Sequence, residues 1–185
     1  MKFVQGDAWK EGLARLVRRR LFIQMMGWAI RLTIPRQRIG VALVAFNDQE
    51  EVFLLRHVFH PTTPWGLPGG WLRRNEAPQA GLVRELREET GLKVTLGPVV
   101  HVVHEHYPNH VVLAYLGWIE PGPIRLNYEI LEARWHSLSK LPHSLQPFTR
   151  QAITIALEHF RTLPGPWMEP ASTRALRQRE DLPII

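Results

Sequence analysis

Cysteine is absent from the 185 residues of the sequence. Its absence excludes disulfides, thiolate metal sites and a cysteine nucleophile, and it fits the reducing cytoplasm, where we expect this chain to reside. Long apolar runs are also absent, because the most apolar early stretch, residues 21–30, is about half of the ~20 residues that span a bilayer. The N-terminus turns polar where a secretory signal would be apolar, so no signal is expected.

Acidic residues are scarce at the N-terminal end. Residues 1–40 contain nine Lys or Arg and two Asp or Glu, a balance of +7, whereas the remaining 145 residues have a balance of −1. The basic character therefore belongs to the N-terminal segment and not to the rest of the chain. A solvated helix face explains this charge, and an interaction face is the alternative.

The N-terminal segment has the spacing of an amphipathic helix. Apolar residues recur at three- and four-residue steps over residues 8–31, and Pro35 closes the segment. The C-terminal tail is rich in proline and charge, which predicts an extended or poorly ordered end. We therefore expect three parts: a basic helical extension at 1–37, one domain at 38–162 and a tail at 163–185.

Two pairs of strands are predicted in the central part. β-rich runs at residues 39–46 and 51–59 are separated by NDQE, which indicates a hairpin. Two further runs, at residues 94–107 and 110–120, predict a second hairpin that turns at Pro108.

The remaining patterns predict a loop, a strand and a helix. The stretch TTPWGLPGG at residues 62–70 is punctuated by proline and glycine and predicts a loop. Residues 132–138 predict a strand, and residues 148–160 have the apolar stripe of an amphipathic helix. This order of elements predicts an α/β domain in which helices cover a mixed sheet.

Three glutamates are crowded onto one predicted helix. Pro78 suits the first turn of this helix and Gly91 suits its C-terminal cap. Glu85, Glu88 and Glu89 stand at i, i+3 and i+4, so that their side chains share one face.

Two interpretations of this acidic face are open from the residues alone. It is either a solvated stripe, with Arg84 and Arg87 as local partners, or one half of a divalent cation site whose other ligands arrive with phosphates. Gly69 and Gly70 precede the helix and permit a close approach of the backbone, which favours the second interpretation.

The stretch from residue 70 to residue 92 resembles the Nudix box of the Nudix hydrolase family. That box has nine constrained positions over 23 residues, and every one of them matches. The matching residues are Gly70, Glu76, Arg84, Glu85, Leu86, Glu88, Glu89, Gly91 and Leu92. The preceding WGLPGG and the later EARWHSLSKL also fit, and the resemblance covers about residues 38–162.

The resemblance implies an α/β/α sandwich around a mixed sheet and the hydrolysis of a diphosphate linkage in a nucleoside diphosphate joined to another moiety. Mg²⁺ is the implied cofactor, with Mn²⁺ as a substitute. The implied metal ligands are Glu85, Glu88, Glu89 and the carbonyl of Gly69. Arg84 would orient Glu85 and be supported by Glu76, while Gly70 and Gly91 shape the motif.

The identity of the general base stays open between a box glutamate, Glu85, and a glutamate of a later loop, Glu129 or Glu132. Substrate contacts are expected from residues near the proline–glycine loop: Arg56 to a phosphate, with Trp65 and Trp71 stacking on a base. We expect the four histidines of the second hairpin, His101, His104, His106 and His110, to face solvent.

The substrate is less constrained than the reaction. Pro108 lies sixteen residues beyond the box, which resembles a marker of ADP-ribose pyrophosphatases, although a hairpin turn explains the same proline. ADP-ribose or a nucleotide sugar is therefore the first expectation. Nucleoside triphosphates or RNA 5′ ends are the second, and a nucleotide sensor without turnover is the third.

A small-molecule nucleotide is the expected partner, and no DNA is expected. The basic N-terminal helix would pack on the domain or build a homodimer interface, and contact with an anionic membrane surface is the less favoured alternative.

Overall fold

The computed structural model describes residues 9–10, 20–33, 37–106 and 109–162. The start of the predicted N-terminal helix, the turn at Pro108 and the C-terminal tail lie outside these residues. The chain divides into two compact units, Met1–Gln37 and Arg38–Ile185.

The first unit contains helix α1 (Arg20–Thr33). Large apolar side chains are exposed along it, among them Ile23, Met26 and Ile30 at helical spacing. Its last turn is closed by Thr33, whose Oγ1 donates to the Ala29 carbonyl at 2.7 Å. No helix within the described residues is both long enough and apolar enough to cross a membrane.

Within residues 38–106 and 109–162, the second unit has two sheets and two long helices. Its elements are β1 (Arg38–Ala45), β2 (Val52–His57), β3 (Trp65–Gly66), β4 (Gly69–Trp71), α2 (Pro78–Thr90), β5 (Val94–Glu105), β6 (His110–Ile119), β7 (Ile130–His136), a short 3-10 helix (Leu138–Lys140) and α3 (Pro147–Thr162).

One sheet has the strand order β4-β1-β6-β5, in which β1 and β6 are parallel and the other pairs are antiparallel. The other sheet is antiparallel, with the order β3-β2-β7. The predicted α/β class with a mixed sheet is confirmed.

Strand β1 separates two apolar cores, because its side chains alternate between the two faces of the sheet. Val41 and Leu43 pack in the core that contains Leu82 and Leu86 of α2. Ala42, Val44 and Phe46 pack in the other core, which contains Ala152, Ile153 and Ala156 of α3. The sheets therefore lie between α2 and α3, which is the predicted sandwich.

The sequence predicted that β1 and β2 pair as a hairpin. The turn of this hairpin is confirmed, but the pairing of the two strands is wrong. The turn forms, since Asn47 Oδ1 accepts from the backbone N–H groups of Gln49 and Glu51 at 3.0 and 2.9 Å. Only the bridge between Phe46 and Val52 follows it. The strands then enter different sheets, because β1 pairs with β6 and β4 while β2 pairs with β7 and β3.

The predicted loop at residues 62–70 is also partly wrong, because it contains β3 and the start of β4. These strands are too short to give a periodic signal, and they form by pairing with β2 and β1. The second hairpin is confirmed as the antiparallel pair β5–β6.

Helix α2 follows its sequence signals closely. It begins at Pro78 and ends at Thr90, and Gly91 follows with a left-handed φ of 74°. The Gly91 N–H donates to the Arg87 carbonyl at 2.9 Å, as expected for a C-terminal glycine cap.

Candidate active site

An open pocket of about 690 Å³ lies where α2 meets the edge of the mixed sheet. Its floor is built from residues of two neighbouring strands, Gly40 and Ala42 of β1 and Val112 of β6. Its walls come from β4, α2, the loop before β7 and the first turn of α3.

Two glycines bring the acidic face of α2 against strand β4. A Cβ at Gly70 would lie 2.6 Å from the Glu85 carboxyl carbon, so a larger residue there would displace this carboxylate from its position. Gly69 has a φ of 150° and its N–H donates to Glu89 Oε2 at 3.0 Å. A Cβ at Gly69 would lie 2.0 Å from the Val41 carbonyl oxygen. The glycines are therefore a steric requirement of the site.

Glu89 is the most buried carboxylate of the site, with a residue exposure of 4%. Its pKa is raised to about 8, first by burial and then by the nearby carboxylates Glu85, Glu129 and Glu88, against the lowering effect of the Gly69 N–H bond. Ionisation of Glu89 is therefore costly in this environment, and a bound cation would lower that cost.

Arg84 lies at the centre of a hydrogen-bonded network on the other side of the motif. Its Nε and Nη2 donate to the two carboxylate oxygens of Glu76 at 2.7 and 2.8 Å. Its Nη1 donates to Glu85 at 2.7 Å and to Glu88 at 3.2 Å, and Nη2 also donates to the Trp71 carbonyl at 3.2 Å. The guanidinium is therefore fixed on every side.

Glu76 has the opposite electrostatic environment to Glu89. Hydrogen bonds from Arg84 and from the Arg73 backbone N–H (2.7 Å) lower its pKa to about 2. The same ion pair raises the pKa of Arg84. These two residues stay charged over all ordinary pH values and support the placement of Glu85.

The donor set fits a hard divalent cation, which takes carboxylate and carbonyl oxygens. Repulsion among Glu85, Glu88, Glu89 and Glu129 is what such a cation would relieve. As the side chains stand in the described part of the chain, no three His, Asp or Glu residues converge to enclose an ion. Glu88 is instead paired with Arg73 at 2.9 Å and with Arg84.

The two candidate glutamates near β7 occupy different places. Glu129 lines the pocket, and its N–H donates to Asn127 Oδ1 at 2.9 Å. The Asn127 N–H in turn donates to the Glu89 carbonyl at 3.2 Å. Glu132 lies on β7 outside the pocket, where Arg56 and Arg134 pair with it at 3.7 and 2.5 Å. The structure therefore brings Glu129, and not Glu132, beside the box carboxylates.

Of the three expected substrate contacts, only Trp71 lines the pocket. Arg56 faces Glu132 across the β2–β7 pair. Trp65 packs against the core that contains residues of α3, and its ring centroid lies 4.7 Å from that of His136. Arg56 and Trp65 thus lie away from the box glutamates.

The expectation that the hairpin histidines face solvent is wrong for His110, which is 6% exposed. Its Nε2 lies 3.3 Å from Glu105 Oε2, and its ring packs on Trp71. His101 stacks on Phe148. His104 and His106 lie beside each other, as period-two spacing predicts, with ring centroids 4.9 Å apart.

Several further residues line the pocket, and one of them, His57, stands just before the proline–glycine loop, where substrate contacts were expected. His57 lines the wall nearest Glu129, and burial, with His60 as a second cause, lowers its pKa to about 4. Asn127, Tyr128 and Glu105 also line the pocket. They come from separate loops and strands, so that only the pairing of the sheets brings them together.

Comparison with known proteins assigns a family to this arrangement. The family model described as "NUDIX domain" matches residues 36–154. An NAD-capped RNA hydrolase, NudC, of Photobacterium profundum is 28% identical over 101 residues, covering 54% of this chain. The chain spans only 38% of that relative. A MutT-like protein of Streptomyces ambofaciens is 26% identical, covering 74% of this chain and 90% of the relative.

Solved structures have the same fold. An ADP-ribose pyrophosphatase of Streptococcus suis is 23% identical with a TM-score of 0.61, covering 70% of this chain and 96% of that one. A UDP-X diphosphatase is 18% identical with a TM-score of 0.61, covering 88% and 87%. A NUDIX hydrolase of Nitrosomonas europaea is 18% identical with a TM-score of 0.63, covering 71% and 77%.

Proposed function

This chain belongs to the NUDIX family, and on that premise we propose that it hydrolyses a diphosphate linkage in a nucleoside diphosphate derivative, with Mg²⁺ as cofactor. The observation that carries the proposal is the gathering of Glu85, Glu88, Glu89 and Glu129 in one pocket, beside an arginine already neutralised by Glu76.

The box carboxylates and the Gly69 carbonyl would hold the metal. A bound Mg²⁺ neutralises phosphate charge, positions the linkage and lowers the pKa of a water ligand. Phosphoryl chemistry requires mainly placement and charge stabilisation. Arg84 supplies placement, because Glu76 and the Trp71 carbonyl fix its guanidinium, which then donates to Glu85 at 2.7 Å.

Glu129 is the proposed general base, with Glu85 as the alternative. It lines the pocket and is held through Asn127 to the backbone of Glu89. A carboxylate held there would accept a proton from a water that approaches the linkage. Glu132 is paired with Arg56 and Arg134 outside the pocket, so it is not proposed for this role.

The favoured substrate class is ADP-ribose or a nucleotide sugar. An open pocket of about 690 Å³ suits a ligand with a group on each side of a diphosphate. The second candidate is an RNA 5′ end, because the curated relatives are named NAD-capped RNA hydrolases. An NAD cap has the same chemical centre, a diphosphate between two riboses.

The test is a turnover screen with Mg²⁺ over nucleoside diphosphate derivatives, triphosphates and NAD-capped RNA. Wild type is compared with Glu85→Gln and with Glu158→Gln, a matched change at an exposed glutamate of α3. We expect one substrate class to be turned over by wild type and Glu158→Gln and not by Glu85→Gln. No turnover of any member would contradict the proposal and favour a nucleotide sensor.

A further inference from the structure

One end of the pocket is formed by an aromatic ring and a histidine–glutamate pair. Trp71 is 44% exposed, and its ring centroid lies 4.7 Å from that of His110, with the planes at 59°. The strand register explains this proximity: Trp71 pairs with Gly40 of β1, while His110 pairs with Arg38 of the same strand. His110 also pairs with Glu105 of β5.

Gly40, which pairs with Trp71 across the sheet, has no side chain. A Cβ at Gly40 would lie 3.6 Å from both His110 and Val112, which is ordinary contact. Packing alone therefore does not require glycine at this position. Glycine at position 40 leaves room beside the exposed face of the Trp71 indole, where a planar ring can stack.

Glu105 supplies the polar contact of this end. Its side chain is 35% exposed, and His110, whose side chain is 7% exposed, holds one carboxylate oxygen at 3.3 Å. An ionised carboxylate accepts hydrogen bonds and donates none. Adenine, guanine and cytosine each have an exocyclic amino group that donates to such an acceptor, whereas uracil has none. The Watson–Crick-edge donor of uracil, N3–H, lies between two carbonyl oxygens that a carboxylate repels.

We propose that Trp71, Gly40, His110 and Glu105 form a base subsite that selects nucleotides with an amino-bearing base over uridine nucleotides. The base stacks on Trp71 above Gly40, and its amino group donates to the Glu105 carboxylate. This inference rests on the proposed function, since it names the nucleoside that the same pocket accepts. Trp71 follows Gly70, which contacts Glu85, so that the subsite lies next to the carboxylates.

The test uses adenosine, guanosine, cytidine and uridine 5′-monophosphates, which contain no diphosphate linkage. Dissociation constants are measured by calorimetry for the whole chain with Mg²⁺ present. We expect wild type to bind AMP about tenfold or more tightly than UMP. Glu105→Gln should reduce this ratio to about threefold or less, because an amide also donates to uracil. The matched change Glu120→Gln, outside the pocket, should leave the ratio as in wild type.

The stacking contact is tested separately. Trp71→Ala should weaken AMP binding about tenfold or more, and Trp71→Phe should restore most of it. An unchanged AMP:UMP ratio in Glu105→Gln, equal binding of AMP and UMP by wild type, or no binding of any monophosphate would each overturn the subsite. Selective binding without turnover of any diphosphate derivative would leave the subsite standing and overturn the proposed function.

Discussion

Glu76 and Glu89 belong to the same motif, but their environments shift the pKa values of the two carboxyl groups in opposite directions. Glu76 accepts two hydrogen bonds from Arg84 and one from the Arg73 N–H, which lower its pKa to about 2. Glu89 is buried and surrounded by other carboxylates, which raise its pKa to about 8. The motif thus contains a satisfied end, where Glu76 is paired with Arg84, and a crowded end, where other carboxylates surround Glu89.

The two ends of the motif therefore have different roles, one structural and one functional. The Glu76–Arg84 pair is complete within the chain and holds the loop against α2. At the other end, burial and neighbouring carboxylates keep the pKa of Glu89 high, and strongly shifted pKa values often mark functional sites. We interpret the first end as the frame and the second as the place where a cation and a phosphate bind.

The largest expected effect is that of Glu89→Gln, which removes a charge from the crowded end. We expect kcat/KM to fall by about a hundredfold or more, because an electrostatic contact with the reacting groups is lost. Without metal at pH 8.5, the melting temperature should rise, since a buried charge disappears. Both quantities are measured on the same preparation, with Glu158→Gln as control. A loss of activity accompanied by a loss of stability would contradict the division into two ends.

A smaller effect is expected from Arg84→Lys at the satisfied end. An ammonium cannot reproduce the fork that holds both oxygens of Glu76 and also reaches Glu85. We expect activity to fall about ten- to a hundredfold, as for other groups that orient a metal ligand, and the melting temperature to fall as well. Arg87→Lys, an exposed arginine of the same helix, is the matched control. Wild-type activity in Arg84→Lys would remove Arg84 from its supporting role.

The two ends also predict opposite pH dependences of stability without metal. The pKa of Glu89 is above its ordinary value of 4.5, so the native state binds more protons and stability falls as pH rises from about 4.5 to 8. The pKa of Glu76 is below 4.5, so its stabilisation is present above about pH 4.5 and is lost as pH falls toward 2.

Melting temperatures of wild type, Glu89→Gln and Glu76→Gln from pH 3 to 9 in a chelator test this. At about 1.4 kcal/mol per pKa unit, a rise from 4.5 to about 8 makes the Glu89 effect on the order of 5 kcal/mol. Glu89→Gln should flatten the profile between about pH 4.5 and 8, and Glu76→Gln should flatten it below about pH 4.5. Identical profiles for the three proteins would show that neither carboxyl has the environment described.

The smallest effect is expected from Asn127→Ala, which removes the acceptor of the Glu129 N–H but keeps the backbone bond to Glu89. We expect about a tenfold loss in kcat with little change in KM, because Glu129 loses its fixed position. Asn127→Asp keeps an oxygen acceptor and should recover most of the loss. Equal defects in both variants would mean that Asn127 does not position Glu129.

Local features of the fold were predictable and long-range ones were not. Helix α2, its start at Pro78 and its cap at Gly91 follow from residues close in sequence. The burial of His110 depends on the parallel pairing of β1 with β6, two strands more than sixty residues apart, so the hairpin alone did not indicate it.

The candidate site shows the same limit. Glu85, Glu88 and Glu89 share a face because helical spacing requires it. Glu129 and Glu132 could not be told apart from their sequence context, since their roles are decided by the register of β7. Glu132 pairs across the sheet with Arg56, whereas Glu129 precedes the strand and reaches the pocket.

The most direct test of the division into two ends is Mn²⁺ binding followed by electron paramagnetic resonance, with Mg²⁺ as competitor. We expect wild type and Glu158→Gln to bind Mn²⁺ competitively with Mg²⁺, and Glu89→Gln to bind it about tenfold or more weakly. Equal affinity of the three proteins, or no Mn²⁺ binding by wild type, would show that the acidic end of the motif does not hold the cation.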